Sequence, residues 1–148
     1  MTTITRHKER GDRLILVDTS VLIDLFKGRS NSKVELLESA ILQNLPFGIS
    51  SYTYQEVLQG SRDEVEYQKV KDYLSSQVLY FLPEVIDTYE KAAYMYYQLR
   101  RQGVTPRSTI DILIMLTAIE NNLYLLHNDK DFDIIAEKVS ELRVLNHL

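Results

Sequence analysis

The stretch Leu14-Ile15-Leu16-Val17-Asp18-Thr19-Ser20-Val21-Leu22-Ile23-Asp24-Leu25-Phe26 decides how the rest of the chain is read. Leu14 to Val17 is a short apolar run, the pattern of a buried strand. Asp18-Thr19-Ser20 interrupts it, and Val21, Leu22, Leu25 and Phe26 then recur at helical spacing. A strand therefore feeds directly into a short helix, which ends near Gly28.

The same alternation continues outward. Val34, Leu37, Ala40, Ile41 and Leu45 form a second amphipathic helix, stopped by Pro46. Phe47 to Ser50 reads as a strand, Tyr52 to Leu58 as a helix ending at Gly60, and Asp63 to Leu74 as a polar helix. A third strand spans Val78 to Leu82. A long helix begins at Val85 and stops before Gly103, with Tyr89, Ala93 and Tyr96 expected in the core and Tyr94 and Tyr97 on the surface or in a dimer contact. Ile110 to Ala118 is a further helix, Tyr124 to Leu126 a fourth strand, Phe132 to Val139 a short helix and Arg143 to Leu145 a last strand. Strands alternating with helices predict an α/β fold: a small, mainly parallel sheet flanked by helices in three α/β/α layers. Ligands of such sheets gather beyond the carboxyl ends of the strands.

At 148 residues the chain suits one domain with a substantial core. Residues 1–13 are expected to form a flexible N-terminal tail and residues 14–148 the single domain. Met1 to Asp12 is polar and does not read as a secretory signal. No apolar run approaches the roughly 20 residues of a membrane helix. The absence of cysteine excludes disulfides and thiolate metal sites and fits a cytoplasmic protein. The net charge of −4 runs against the basic footprint usual in nucleic-acid binders. Yet Lys91, Arg100, Arg101 and Arg107 fall in a segment without acids, and a divalent metal would offset clustered carboxylates.

Four acidic residues share one kind of placement. Asp18 follows the first strand, Glu56 lies in the helix after the second, Asp111 opens the apolar helix before the fourth, and Asp129 follows the fourth. Each has a structural reading of its own. Asp18 suits a helix N-cap. Thr53-x-x-Glu56 and Ser108-x-x-Asp111 match capping boxes, and capping is the favoured reading of Glu56 taken alone. Asp129 suits a turn, in a segment where Asp131 and Asp133 compete for any role. In a parallel sheet, however, the four converge at one edge. Carboxylates forced together repel and bind protons more tightly. A divalent cation removes that penalty, and all-oxygen ligation suits Mg²⁺ or Mn²⁺. Such a site activates water and stabilises charge developing on a phosphodiester.

Other chemistries have little support. No Gly-rich phosphate loop occurs among the five scattered glycines. Of the three histidines, only His127 is near the proposed site, as a strand-end structural residue or a substrate contact. Ser20 is a second cap or a holder of bound water.

These residues also carry a family resemblance. Leu16-Val17-Asp18-Thr19-Ser20-Val21-Leu22-Ile23-Asp24 looks like the opening of PIN-domain proteins. Glu56-Val57-Leu58-Gln59-Gly60, Ile110-Asp111-Ile112-Leu113-Ile114 and Leu125-Leu126-His127-Asn128-Asp129-Lys130-Asp131-Phe132 resemble their later acidic motifs. Order and spacing match from Leu14 to Leu145. The chain is most similar to the small stand-alone PIN toxins of VapBC-type toxin–antitoxin systems. That resemblance implies a Mg²⁺- or Mn²⁺-dependent endoribonuclease of single-stranded or looped RNA, leaving a 3′-hydroxyl and a 5′-phosphate. It also implies a homodimer, inhibited by a cognate antitoxin whose C-terminal segment occupies the active-site groove. Asp18, Glu56, Asp111 and Asp129 match the family's acidic positions one by one, and Ser20 a common polar position beside the first. His127 stands where many relatives carry Thr or Ser.

The expectation is that Asp18, Glu56 and Asp111 hold the principal metal, with Asp129 completing the cluster or serving a second ion. Arg100, Arg101 and Arg107 are candidate phosphate contacts, or a helix end that complements its dipole. Two rival readings are a PIN-like protein- or RNA-binding module without turnover, and a metal-dependent DNA nuclease or phosphatase.

Overall fold

The computed structural model describes residues 14–148; the expected N-terminal tail lies outside them. The first strand, β1 (Ile15–Val17), passes through Asp18 into α1 (Thr19–Phe26). Then come α2 (Ser32–Leu42), β2 (Phe47–Ser50), α3 (Ser51–Gln59), α4 (Glu64–Ser75) and β3 (Val78–Tyr80). The second half holds α5 (Ile86–Arg101), α6 (Thr109–Glu120), β4 (Tyr124–Leu126), α7 (Lys130–Lys138) and β5 (Arg143–Val144). The expected strand at residues 78–82 is cut short at Tyr80.

The five strands form one sheet in the order β3-β2-β1-β4-β5, and every neighbouring pair is parallel. The central strand is uniformly apolar because both its faces are covered. Ile15 and Val17 join a core layer with Val21, Leu22, Val34, Leu37 and Ile49, whereas Leu16 points into a second layer with Leu99, Ile112, Met115 and Phe132. β4 alternates likewise, Leu126 entering the first layer and Leu125 the second. Helices α1 to α4 thus contribute to one face and α5 to α7 to the other. That period of two, read across two faces, is the three-layer architecture.

β2 and β3 pack unusually closely. A Cβ on Gly48 would lie 2.5 Å from the Val78 carbonyl oxygen and 2.6 Å from the Tyr80 ring. Only glycine fits there.

Helix α5 differs from expectation. Tyr89 is 48% exposed and Ala93 is also on the surface. The packed side runs through Thr88, Ala92, Met95 and Leu99, with half-buried Tyr96 packed against the core as expected. Apolar residues occur all round this helix, so more than one stripe fits a helical period. Tyr94 and Tyr97 are exposed and stack on each other, their centroids 6.0 Å apart.

Successive connections from β1 run outward to β2 and β3 on one side, and β4 returns on the other. The chain order therefore reverses between β1 and β4. A crevice for ligand opens at such a reversal, beyond the strand carboxyl ends. Asp18 and the segment His127-Asn128-Asp129 leave the sheet there.

Candidate metal centre

Asp18 is 3% exposed and caps α1, accepting the Ser20 backbone N–H at Oδ2. The Ser20 hydroxyl donates to the same oxygen at 2.6 Å. Asp18 Oδ1 is buried and has no hydrogen-bond partner. A buried carboxylate oxygen without a donor is expensive unless something positive reaches it. The cap reading and the site reading of Asp18 are thus compatible, since the two oxygens are used differently.

Glu56 is not a capping-box residue, contrary to the favoured reading of it alone. The cap of α3 is Ser50, which accepts the Thr53 N–H at 3.1 Å. Glu56 lies further along the helix, where its Oε1 accepts the Thr19 hydroxyl at 2.8 Å. Thr19 Oγ1 also lies 3.1 Å from Thr53 Oγ1. Helices α1 and α3 are thereby tied together beside Asp18. At α6, Ser108 caps by accepting the Ile110 N–H. Among the described residues, no hydrogen bond reaches the Asp111 carboxylate.

Asp111, Asp129 and Asp131 each offer an oxygen, and the three oxygens lie within 4.8 Å of one another. Asp129 also caps α7, accepting the Asp131 N–H at 2.9 Å. Asp131 therefore stands beside Asp129, and both carboxylates approach Asp111. Asp18 and Glu56 fall outside this tightest group. Both act on it electrostatically. Burial, then the charges of Asp18, Asp129, Glu56 and Asp131, push the Asp111 pKa up to about 7. Burial is also the largest cause raising Asp18 to about 6, against the Ser20 hydrogen bonds that lower it, with Glu56 adding to the rise. This is the penalty that a divalent cation relieves. The orphaned Asp18 Oδ1 and the trio of oxygens fit a hard, oxygen-seeking ion.

Of the candidate phosphate contacts, only Arg107 reaches the cluster. Its Nε donates to Asp131 Oδ2 at 2.8 Å, and Nη2 lies 3.8 Å from Asp129 Oδ1. Arg100 and Arg101 occupy the exposed last turn of α5, and Arg101 donates to the Tyr97 hydroxyl. Of the two expected readings of His127, its burial favours the structural one. It is 1% exposed, packs against Phe132 and accepts the Asp129 N–H at Nδ1, 3.1 Å away. Burial pushes its pKa down, so the neutral ring carries its proton on Nε2, 3.3 Å from Asp133 Oδ1 but without hydrogen-bond geometry. It braces the loop that holds Asp129.

Three residues escaped the sequence reading as site neighbours: Thr19, Asp24 and Asn128. Asp24 carried a usable signal, as a charge between Ile23 and Leu25 in an apolar helix. Such a residue must find partners.

The PIN domain family matches residues 15–138. VapC ribonuclease Mb1587 of Mycobacterium bovis is 28% identical over 124 residues, covering 83% of this chain and 92% of that protein. Ribonuclease VapC11 of Mycobacterium tuberculosis matches to the same extent, 28% over 124 residues. Among solved structures, VapBC2 from Rickettsia felis, bound to a DNA fragment from its promoter, superposes with a TM-score of 0.69. It is 20% identical, over 89% of this chain and 97% of that one. DNA-bound VapBC from Salmonella typhimurium gives a TM-score of 0.67 at 19% identity, over 90% and 97%. The match spans every strand but the last and all four acidic positions, and on it the chain belongs to the PIN domain family.

Proposed function

We propose that this chain is a Mg²⁺- or Mn²⁺-dependent endoribonuclease, the toxin of a toxin–antitoxin pair. The observation that carries the reading is the electrostatic convergence of Asp18, Glu56, Asp111 and Asp129 at the β1/β4 crevice, with Asp18 Oδ1 left without a donor. The relatives named as VapC ribonucleases support the substrate class.

Asp18, Asp111 and Asp129, with Glu56 and Asp131 beside them, would hold the ion. A bound divalent ion supplies Lewis acidity, lowering the pKa of water and stabilising charge on a phosphodiester. The chain's own residues do the rest. Ser20 fixes the Asp18 carboxylate through Oδ2. Thr19 orients Glu56. Asp111, crowded by Asp18, Asp129, Glu56 and Asp131, gives up its raised proton affinity to the ion and would bind it as a carboxylate. Arg107, on the exposed rim, exchanges its carboxylate partners for a phosphate of the RNA.

The same reading includes a cognate antitoxin and a homodimer in the cytoplasm. The structural neighbours are described as VapBC assemblies. An apolar groove of about 370 Å³ runs beside Asp111, with Thr109, Ile112 and Leu113 on one wall and Tyr89, Ala93 and Tyr96 on the other. It suits a partner's apolar segment. Exposed Ile86, Tyr94 and Tyr97 extend apolar surface along α5. No helix among the described residues is long and apolar enough to cross a membrane.

The test is purified protein incubated with a single-stranded RNA and with DNA of the same sequence, in Mg²⁺, Mn²⁺ and chelator. Metal-dependent cuts in RNA alone are expected. Equal cutting of DNA makes the chain a DNA nuclease, and metal-independent binding without cuts makes it a binding module.

A further inference from the structure

We propose that Asp24 is a positioning residue of this centre, acting through Asn128 and Ser20 to hold Asp18 with its Oδ1 facing open. The inference rests on the metal-nuclease reading above.

Asp24 lies near the end of α1, only 8% exposed. A carboxylate buried in an apolar helix is stable only when donors surround it. Three do so. Arg29 Nη1 donates at 3.1 Å, Asn31 Nδ2 at 3.0 Å and Asn128 Nδ2 at 3.0 Å. The first two belong to the link between α1 and α2, and Asn31 also caps α2. They account for a local, structural role. Asn128 is different. It comes from beyond β4, and its hydrogen bond is the largest cause holding the Asp24 carboxyl below its usual range.

Seizing the Asn128 side chain fixes the Asn128 backbone. Its N–H then donates to Ser20 Oγ at 2.9 Å. A hydroxyl accepting on one side directs its own hydrogen to another, here to Asp18 Oδ2 at 2.6 Å. Oδ2 also takes the Ser20 N–H, so both donors fall on one oxygen. Oδ1 is left free and cannot rotate away without breaking the chain of bonds. The neighbouring N–H, that of Asp129, rests on His127 within the same loop. Asp24 thus orients the first carboxylate and steadies the fourth from outside the site, the arrangement by which outer residues tune metal affinity.

The experiment is Mn²⁺ titration calorimetry, with thermal melts, on wild type, Asp24→Asn, Asn128→Ala, the double variant and Arg29→Ala. Asp24→Asn and Asn128→Ala should each weaken Mn²⁺ binding about tenfold. The double variant should be no weaker than the worse single one, because both cut the same chain. Arg29→Ala should lower the melting temperature and leave Mn²⁺ affinity unchanged. Where Asp24→Asn does not fold, the exposed Asn128→Ala decides alone. Wild-type affinity in Asn128→Ala overturns the proposal, as do additive losses or an Arg29→Ala loss equal to that of Asp24→Asn. Failure of the wild type itself to bind Mn²⁺ overturns the nuclease reading and this one with it.

Discussion

The Arg107 guanidinium donates to Asp131 Oδ2 at 2.8 Å and stands 3.8 Å from Asp129 Oδ1, placing a tethered cation on the rim of the carboxylate trio. The arginine and a divalent ion compete for the same negative charge. Its side chain is 77% exposed, so solvent screens the pairing and leaves it easily exchanged. Arg107→Ala should bind Mn²⁺ a few-fold more tightly at low salt, with the difference shrinking as salt is added. RNA affinity should fall in the same variant. Calorimetry and a filter-binding assay read the two opposed changes, and unchanged Mn²⁺ affinity at low salt removes Arg107 from the cluster's electrostatics.

The raised carboxyl groups make the metal-free protein sensitive to pH. Asp111 titrates at about 7 and Asp18 at about 6, both well above the ordinary aspartate value of about 3.9. Between the unfolded and folded values the folded state binds more protons, so stability falls as pH rises through that window. Thermal melts in chelator should show a melting temperature that declines from pH 5 to pH 8. Mg²⁺ or Mn²⁺ should raise it more at pH 8 than at pH 5. Asp24 works in the opposite sense, because its carboxyl is held low. Its contribution is lost only under acid conditions below the ordinary carboxylate range. A melting temperature that climbs from pH 5 to pH 8 in chelator is incompatible with the described cluster.

Ser20→Ala removes the hydroxyl that joins Asn128 to Asp18. The Asn128 N–H loses its acceptor, and Asp18 Oδ2 keeps only the Ser20 N–H. Urea denaturation should show a loss of about 1 kcal/mol. Cleavage should fall by more than the stability loss accounts for, because the carboxylate is freed to turn. Full activity in a folded Ser20→Ala protein contradicts this role.

Gly48→Ala tests the fold apart from the site. The added methyl meets the Val78 carbonyl and the Tyr80 ring, and backbone cannot yield as a flexible side chain does. A destabilisation of about 2 kcal/mol is expected from overpacking. Metal affinity of the folded fraction should stay at the wild-type level, since the clash lies at the β2–β3 pair.

Much of this was legible from residue order because a parallel sheet buried on both faces writes itself as short apolar runs. Leu14 to Val17 and Tyr124 to Leu126 are such runs, and the aspartates that follow them mark the strand ends. Glu56 was harder. Thr53 and Glu56 have capping-box spacing, but Ser50 takes the cap, and only the tertiary approach of α1 gives Glu56 its partner Thr19. The packed side of α5 was hidden because Ile86, Tyr89, Ala93, Tyr94 and Tyr97 add apolar positions outside it. Asp131 was indistinct from Asp129 because both lie in one aspartate-rich turn, and spacing does not show which oxygens meet Asp111. The Asp24–Asn128 bond joins residues 104 positions apart, beyond the reach of any local pattern.

The central claim is that a carboxylate-held divalent ion at Asp18 drives RNA cleavage. It is tested most directly by incubating structured RNAs with wild type and with Asp18→Asn, in Mn²⁺, Mg²⁺ and chelator. Discrete cuts by wild type that vanish in chelator and in the folded variant are predicted. Normal cleavage by Asp18→Asn in Mg²⁺ would contradict the account.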